Sequence, residues 1–116
     1  MFKFSLQRLL DLRARKEQEV ATRFAHARAQ ADAAEREAAA IEATREAGRA
    51  RVTEEARTPD QTAGLLQQMN FVLSQLDVHV VAARQQATVA ETAAHLVQGE
   101  LKAAYQYRRV LDRLRE

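Results

Sequence analysis

The stretch Thr58-Pro59-Asp60-Gln61 decides the fold, because it interrupts a chain that otherwise repeats apolar residues every three or four positions. Thr58 can cap a helix whose first residue is Pro59, where the missing proline N–H costs nothing. Gln61 then occupies the third helical position and completes a capping box. Pro59 also disfavours helical geometry in the residues before it. The stretch therefore predicts the end of one helix and the start of another.

The segment after this stretch carries a heptad seam, a set of apolar positions separated alternately by three and four residues. The seam holds for more than six heptads, well past the three or four that indicate a coiled coil. Arg108 is its one polar member. The seam positions are Leu66, Met69, Leu73, Leu76, Val80, Ala83, Ala87, Ala90, Ala94, Val97, Leu101, Ala104, Arg108 and Leu111.

The segment before the stretch has a seam with the same spacing but more polar members. Ser5 can cap this first helix, with Phe4 and Leu9 as a hydrophobic staple. The seam is apolar from Val20 to Ile41 and interrupted on either side of that range. Its positions are Leu6, Leu10, Arg13, Glu17, Val20, Phe24, Ala27, Ala31, Ala34, Ala38, Ile41, Arg45, Gly48 and Val52.

Two seams joined by a short connection predict an all-α fold, two long helices forming an antiparallel coiled-coil hairpin. We expect a single domain over 1–116, with helix 1 at about 5–56, a turn at about 57–58 and helix 2 at about 59–115. We expect a monomer in dilute solution. The structural alternative, a parallel dimer of one continuous helix, would have to tolerate Pro59 at about 3 kcal/mol or more per chain. Facing residues are expected to have numbers that sum to about 114 or about 121, and a tight turn favours the first.

Composition excludes several classes of function. The 116 residues include no cysteine, so a disulfide framework, a thiolate nucleophile and a cysteine-ligated zinc are excluded. Three glycines and one proline provide no glycine-rich nucleotide loop. His26, His79 and His95 have no i, i+4 spacing to one another, and a two-helix hairpin offers no concave pocket. We therefore expect no enzymatic activity, no catalytic residues, no metal site and no cofactor.

No stretch approaches the roughly 20 apolar residues of a membrane span, so direct membrane insertion is not expected. The charge distribution is uneven, although the formal net charge is only +2. Residues 1–16 hold five cationic residues against one acid, and residues 104–116 hold four against two. If the hairpin brings these segments together, one end is basic. A basic end near aromatic residues leaves a nucleic-acid-binding hairpin as an alternative, but nothing resembles a named nucleic-acid module, so no nucleic acid is expected.

The segment Phe4-Ser-Leu-Gln-Arg-Leu-Leu-Asp-Leu-Arg13 resembles the start of the flagellar FliJ family, where a short phenylalanine-and-leucine segment precedes a long charged helix. The block Met69-Asn-Phe-Val-Leu-Ser-Gln-Leu76 resembles that family's start of the second helix. The order of parts agrees along essentially the whole chain. A generic coiled-coil scaffold or chaperone, and a stalk protein of non-flagellar type III secretion, remain alternatives with the same architecture.

The resemblance implies a non-enzymatic component of the flagellar type III export apparatus. It implies a coiled coil like the rotor stalk of rotary ATPases, which links the hexameric export ATPase to the membrane export gate protein. It also implies an escort of export chaperones and a cytoplasmic location, peripherally associated with the export apparatus at the inner membrane.

Two sets of candidate contact residues follow from the basic end and from apolar side chains on or beside the second seam, and the resemblance supplies the partner of each set. The first set is expected to bind the ATPase and comprises Phe4, Leu6, Arg8, Leu9, Arg13, Arg108, Arg109 and Arg113. The second is expected to bind the export gate and comprises Phe71, Val72, Leu76, Val78 and Val81.

Overall fold

The fold is an all-α antiparallel helical hairpin over residues 2–58 and 63–115, the residues that the computed structural model describes. Helix α1 spans Phe2–Ala56 and helix α2 spans Ala63–Arg115. Among the described residues, Arg57 and Thr58 alone are not helical. The predicted fold class is therefore confirmed.

The two helices form two compact units, each built from one segment of α1 and one of α2. Unit 1 contains Met1–Ala31 and Ala90–Glu116, and unit 2 contains Asp32–Val89. The buried core of unit 1 is Leu10, Val20, Ala31, Ala94 and Leu111. The buried core of unit 2 is Ala38, Val80, Ala83 and Ala87.

Both heptad seams face the core, because every one of their positions is buried or half-buried. This holds even for the polar members Arg13, Glu17, Arg45 and Arg108. Alternate steps of three and four residues return to one side of a helix, so each seam forms a continuous stripe. Small residues dominate the core, and small residues allow two helix backbones to approach closely.

The register of the hairpin follows from a close approach in unit 2. A Cβ atom built on Gly48 would lie 2.9 Å from Leu73 Cδ2. The two residue numbers sum to 121, so the expectation that a tight turn favours sums near 114 is wrong. A turn at 57–58 would centre the pairs near a sum of 115, whereas a sum of 121 is centred between positions 60 and 61.

The first helix begins earlier than expected. Ser5 lies inside α1, which starts at Phe2, so Ser5 does not cap it. Phe4 is 79% exposed and does not form the expected staple with Leu9. Nothing in residues 2–4 disfavours helical geometry, so the helix extends past the capping residue. The predicted capping box pairs Thr58 with Gln61, and Gln61, like the predicted helix start at Pro59, lies outside the described residues.

Ion pairs join the two helices within each unit. In unit 1, Arg28 donates two hydrogen bonds to Glu91, at 2.9 and 2.5 Å. In unit 2, Arg84 donates to both Glu42 and Glu35, the latter at 2.8 Å. The hydrogen bonds that Arg84 donates to these two carboxylates raise the pKa of Arg84. Each pair joins opposite charges of α1 and α2, so the pairs fit this register and not one displaced by a heptad.

Candidate partner-binding surfaces

Three polar members of the two seams, Arg13, Glu17 and Arg108, belong to unit 1. Arg13 and Arg108 are the facing pair there, since their numbers sum to 121, and two cations in facing seam positions repel each other. Glu17, one helical turn from Arg13, relieves this repulsion, because its Oε2 lies 3.0 Å from Arg108 Nε. The Glu17 side chain is only 13% exposed. Glu17 and Arg108, two of the seam interruptions, therefore form one polar contact between α1 and α2.

The tyrosines of α2 hold the same two arginines from outside the seam. The Arg13 guanidinium carbon lies 4.0 Å from the centre of the Tyr107 ring, and that of Arg108 lies 5.2 Å from the Tyr105 ring. A guanidinium over an aromatic face is attracted by the negative face of the ring. Arg13 and Arg108 thus have structural contacts within unit 1, and both side chains are half-buried.

The remaining arginines of the first predicted set are exposed. Arg8 and Arg113 have numbers that sum to 121, so the antiparallel register brings them to the same level of unit 1. Arg109 lines a shallow groove with Phe24 and Tyr105. We call the first predicted set the basic surface: Phe4, Leu6, Arg8, Leu9, Arg13, Arg108, Arg109 and Arg113.

Apolar side chains accompany these charges. Phe4 is exposed, whereas Leu6 and Leu9 are half-buried. Arg113 and Arg115 lie in the last turn of α2, where a positive charge interacts favourably with the helix dipole. The positive charge of Arg113 and Arg115 therefore stabilises the end of α2. Within the first predicted set, the helix dipole does not explain the exposed arginines Arg8 and Arg109.

Formal charge is divided unevenly between the units. Unit 1 contains twelve Lys and Arg against seven Asp and Glu, a net charge of +5. Unit 2 contains six against nine, a net charge of −3. A net positive unit with exposed arginines attracts an acidic surface over distances up to about a Debye length.

The second predicted set lies in unit 2 and forms what we call the apolar surface: Phe71, Val72, Leu76, Val78 and Val81. Phe71, Val72, Val78 and Val81 are exposed, Phe71 at 64%. Leu76 is a half-buried seam residue and lines a groove with Met69, Val72 and Leu73. Exposed apolar side chains grouped in this way are typical of a protein-binding site.

Among the described residues, no three His, Asp or Glu side chains are grouped so that they could hold a metal ion. No helix within residues 2–58 and 63–115 is both long and apolar enough to cross a membrane.

A model of the family described as flagellar FliJ protein matches residues 2–116, which is essentially the whole chain. The chain belongs to the FliJ family. The predicted resemblance is thereby confirmed, and FliJ membership makes this a flagellar export-related protein from a non-enzymatic family of export components. No curated protein and no solved structure matches the chain significantly.

For a FliJ-family chain, sequence reasoning identified the charges of unit 1 but missed their internal contacts. It predicts Arg13 and Arg108 as seam interruptions that contact the ATPase, and it assigns no role to Glu17. A sequence signal exists, because Glu17 is an acidic seam residue one helical turn from Arg13, the position that faces Arg108. Pairing Glu17 with Arg108 requires the register of the two helices, and the seams alone are compatible with sums of about 114 and about 121.

Proposed function

We propose that this protein links the hexameric ATPase of the flagellar export apparatus to the membrane export gate. The basic surface of unit 1 binds the ATPase, and the apolar surface of unit 2 binds the gate protein. The observation that carries the proposal is the family match over residues 2–116. The protein acts in the cytoplasm, at the inner membrane, as a stalk and not as a catalyst.

The basic surface suits an acidic partner. Arg8, Arg109 and Arg113 are exposed, and an arginine fork can bind a carboxylate through two parallel hydrogen bonds. Phe4 adds an exposed apolar side chain in the same unit. Arg13 and Arg108 are held by Tyr107 and Glu17, and their role is to position the surface.

The apolar surface suits a partner that buries hydrophobic side chains. Phe71 and Val78 expose most of their side chains to solvent and lie two helical turns apart on α2. Aromatic side chains in such positions commonly supply much of the binding energy of an interface. We propose the gate protein as the partner of this surface.

The ATPase contact is tested by charge reversal. The double variant Arg109→Glu and Arg113→Glu should stay helical and lose at least tenfold in affinity for the purified ATPase. The matched control is Arg36→Glu with Arg51→Glu, which reverses two exposed arginines of unit 2. If both double variants bind the ATPase like the parent, the basic surface is not the docking site. Circular dichroism checks the end of α2, because Arg113 also favours the helix dipole.

The gate contact is tested by truncating one side chain. Phe71→Ala should leave the melting temperature nearly unchanged, because Phe71 is mostly exposed, and should weaken binding to the gate protein. The control is Leu114→Ala, which truncates a similarly exposed side chain of unit 1. A large loss of melting temperature with unchanged gate binding would assign Phe71 to packing instead.

We also propose that the protein escorts free export chaperones, a role supported by its family and by no particular contact. Co-purification of a chaperone without its export substrate supports this role, and equal recovery of loaded and free chaperone contradicts it.

A further inference from the structure

A second heptad pattern lies on α2, on the side of the helix away from α1. Its members are separated by steps of four and three, and all are exposed, in contrast to the buried seam around Val80. Such steps place residues on one side of a helix. All of them belong to unit 2. We call them the outer stripe: Phe71, Gln75, Val78, Ala82, Gln85 and Val89.

The outer stripe can pair with a second copy of itself that runs in the opposite direction. In an antiparallel pair of helices, each a-type position faces a d-type position of the other helix. If residue numbers that face each other sum to 160, Phe71 faces Val89 and Val78 faces Ala82. Gln75 then faces Gln85, so amides meet amides and apolar side chains meet apolar side chains. A surface of this kind fits a two-fold symmetric pair of identical chains.

The positions that flank the outer stripe carry no Asp, Glu, Lys or Arg, although such residues make up 29% of the chain. Flanking charges normally decide which helices pair, and here no charge at the flanking positions repels a second copy. Between positions 71 and 89 the charged residues are Asp77 and Arg84, and both form ion pairs with α1. The flanking residues are Val72, Ser74, His79, Val81, Gln86 and Thr88.

We propose that the outer stripe binds a second copy of this protein, with the two α2 helices antiparallel in the register that sums to 160. The association is weak and reversible, because six layers with two glutamine pairs fall short of a standard interface of about 1,600 Å². It is therefore compatible with a monomer in dilute solution. The outer stripe shares Phe71 and Val78 with the apolar surface, so self-association and gate binding exclude each other. The self-association does not depend on the proposed function, whereas its exclusion of gate binding does.

The first test measures mass against concentration by sedimentation velocity. The parent protein should shift towards a dimer as its concentration rises, and Val78→Glu should remain monomeric. The matched control is Val110→Glu, because Val110 is 57% exposed on the same helix, against 62% for Val78, and lies outside the stripe. A parent that stays monomeric up to about 1 mM, where an association worth about 4 kcal/mol would be seen, overturns the proposal. Equal effects of the two substitutions overturn it as well.

The second test determines direction and register by disulfide formation, for which the absence of cysteine gives a clean background. Differently tagged Val78→Cys and Ala82→Cys chains are mixed and oxidised. The antiparallel register predicts that the mixed disulfide exceeds both disulfides between like chains. A parallel pair in register would give mainly disulfides between like chains and would overturn the proposal.

Measurements of gate binding distinguish self-association of the outer stripe from its use by the gate protein alone. If Val78→Glu abolishes gate binding while the parent protein never self-associates, the outer stripe serves the gate protein alone and the proposed self-association is wrong. If the parent dimerises and its dimer fails to bind the gate, the two uses of the surface are exclusive as proposed.

Discussion

At the scale of single residues, the contact between Glu17 and Arg108 joins two polar seam positions of unit 1. Glu17 lies one helical turn from Arg13, whose position faces that of Arg108, and Glu17 Oε2 lies 3.0 Å from Arg108 Nε. Removing one partner of such a pair leaves the other charge half-buried and uncompensated. Replacing both with apolar side chains removes the charges and extends the seam.

We therefore expect a strongly non-additive double-mutant cycle. Glu17→Leu and Arg108→Leu should each lower the free energy of unfolding by about 1–3 kcal/mol. The double variant should be at least as stable as the parent, because Leu suits both seam positions. Urea unfolding followed by circular dichroism measures the cycle. Losses that simply add would show that the two residues act independently.

A second residue-scale prediction concerns pH. The two hydrogen bonds from Arg28 lower the pKa of Glu91 below 4.5. A carboxyl group with a lowered pKa contributes stability above its unfolded pKa, and loses that contribution as the pH falls through its folded pKa. Arg28→Gln should therefore raise the Glu91 pKa towards 4.5 and make stability less dependent on pH below that value.

Carboxyl chemical shifts in an NMR titration measure the Glu91 pKa directly. Arg23→Gln is the control, because Arg23 pairs with Glu100 and not with Glu91. An unchanged Glu91 pKa in the Arg28 variant would contradict the assigned cause.

At the scale of the helices, alanine determines how closely the two segments of each unit pack. Ala38 is completely buried and has the register partner Ala83, also buried. An added side chain at such a position must displace backbone or neighbours, which typically costs about 1–3 kcal/mol. Close packing in unit 2 thus depends on small seam residues.

Ala38→Leu is therefore expected to lower the melting temperature, although leucine is a good helix former. The control is Ala39→Leu, one residue away on the exposed side, which should leave the melting temperature nearly unchanged. Thermal denaturation of both variants measures the difference. If Ala38→Leu raised the melting temperature, the seam would contain enough unfilled space for a larger side chain.

The sequence predicted the helices and their buried sides, because both depend on local periodicity. Every predicted seam position is buried or half-buried, from Leu6 to Leu111. It did not predict the register, because layers of alanine look alike after a shift of one heptad. The internal contacts of Arg13 and Arg108 depend on register and could not be predicted either. The start of α1 was missed because a serine can cap a helix or lie inside one.

At the scale of the whole molecule, opposite net charges belong to different units, +5 for unit 1 and −3 for unit 2. A partner that recognises one unit electrostatically should respond mainly to the charges of that unit. This division makes ionic strength a probe of which unit a partner binds.

We expect ATPase binding to weaken as salt rises, because the basic surface attracts an acidic one. The Arg109→Glu and Arg113→Glu double variant should show a flatter dependence on salt than the parent. Gate binding through the apolar surface should change little over the same range. Affinities measured at several salt concentrations for both partners check this. A steep salt dependence of gate binding with a flat one for the ATPase would reverse the assignment.

Residues of α1 and α2 face each other when their numbers sum to 121, and this pairing limits which insertions and deletions the two helices can tolerate. A single-residue insertion in α1 would rotate every later residue by about 100° and break all the layers beyond it. A deletion of seven residues keeps the seam in phase, but it leaves seven residues of α2 without facing partners. Insertions and deletions should therefore be retained as heptads, and in matched pairs at mirrored positions of the two helices. Among homologues, a change in the length of α1 is thus expected to be accompanied by an equal change in the length of α2.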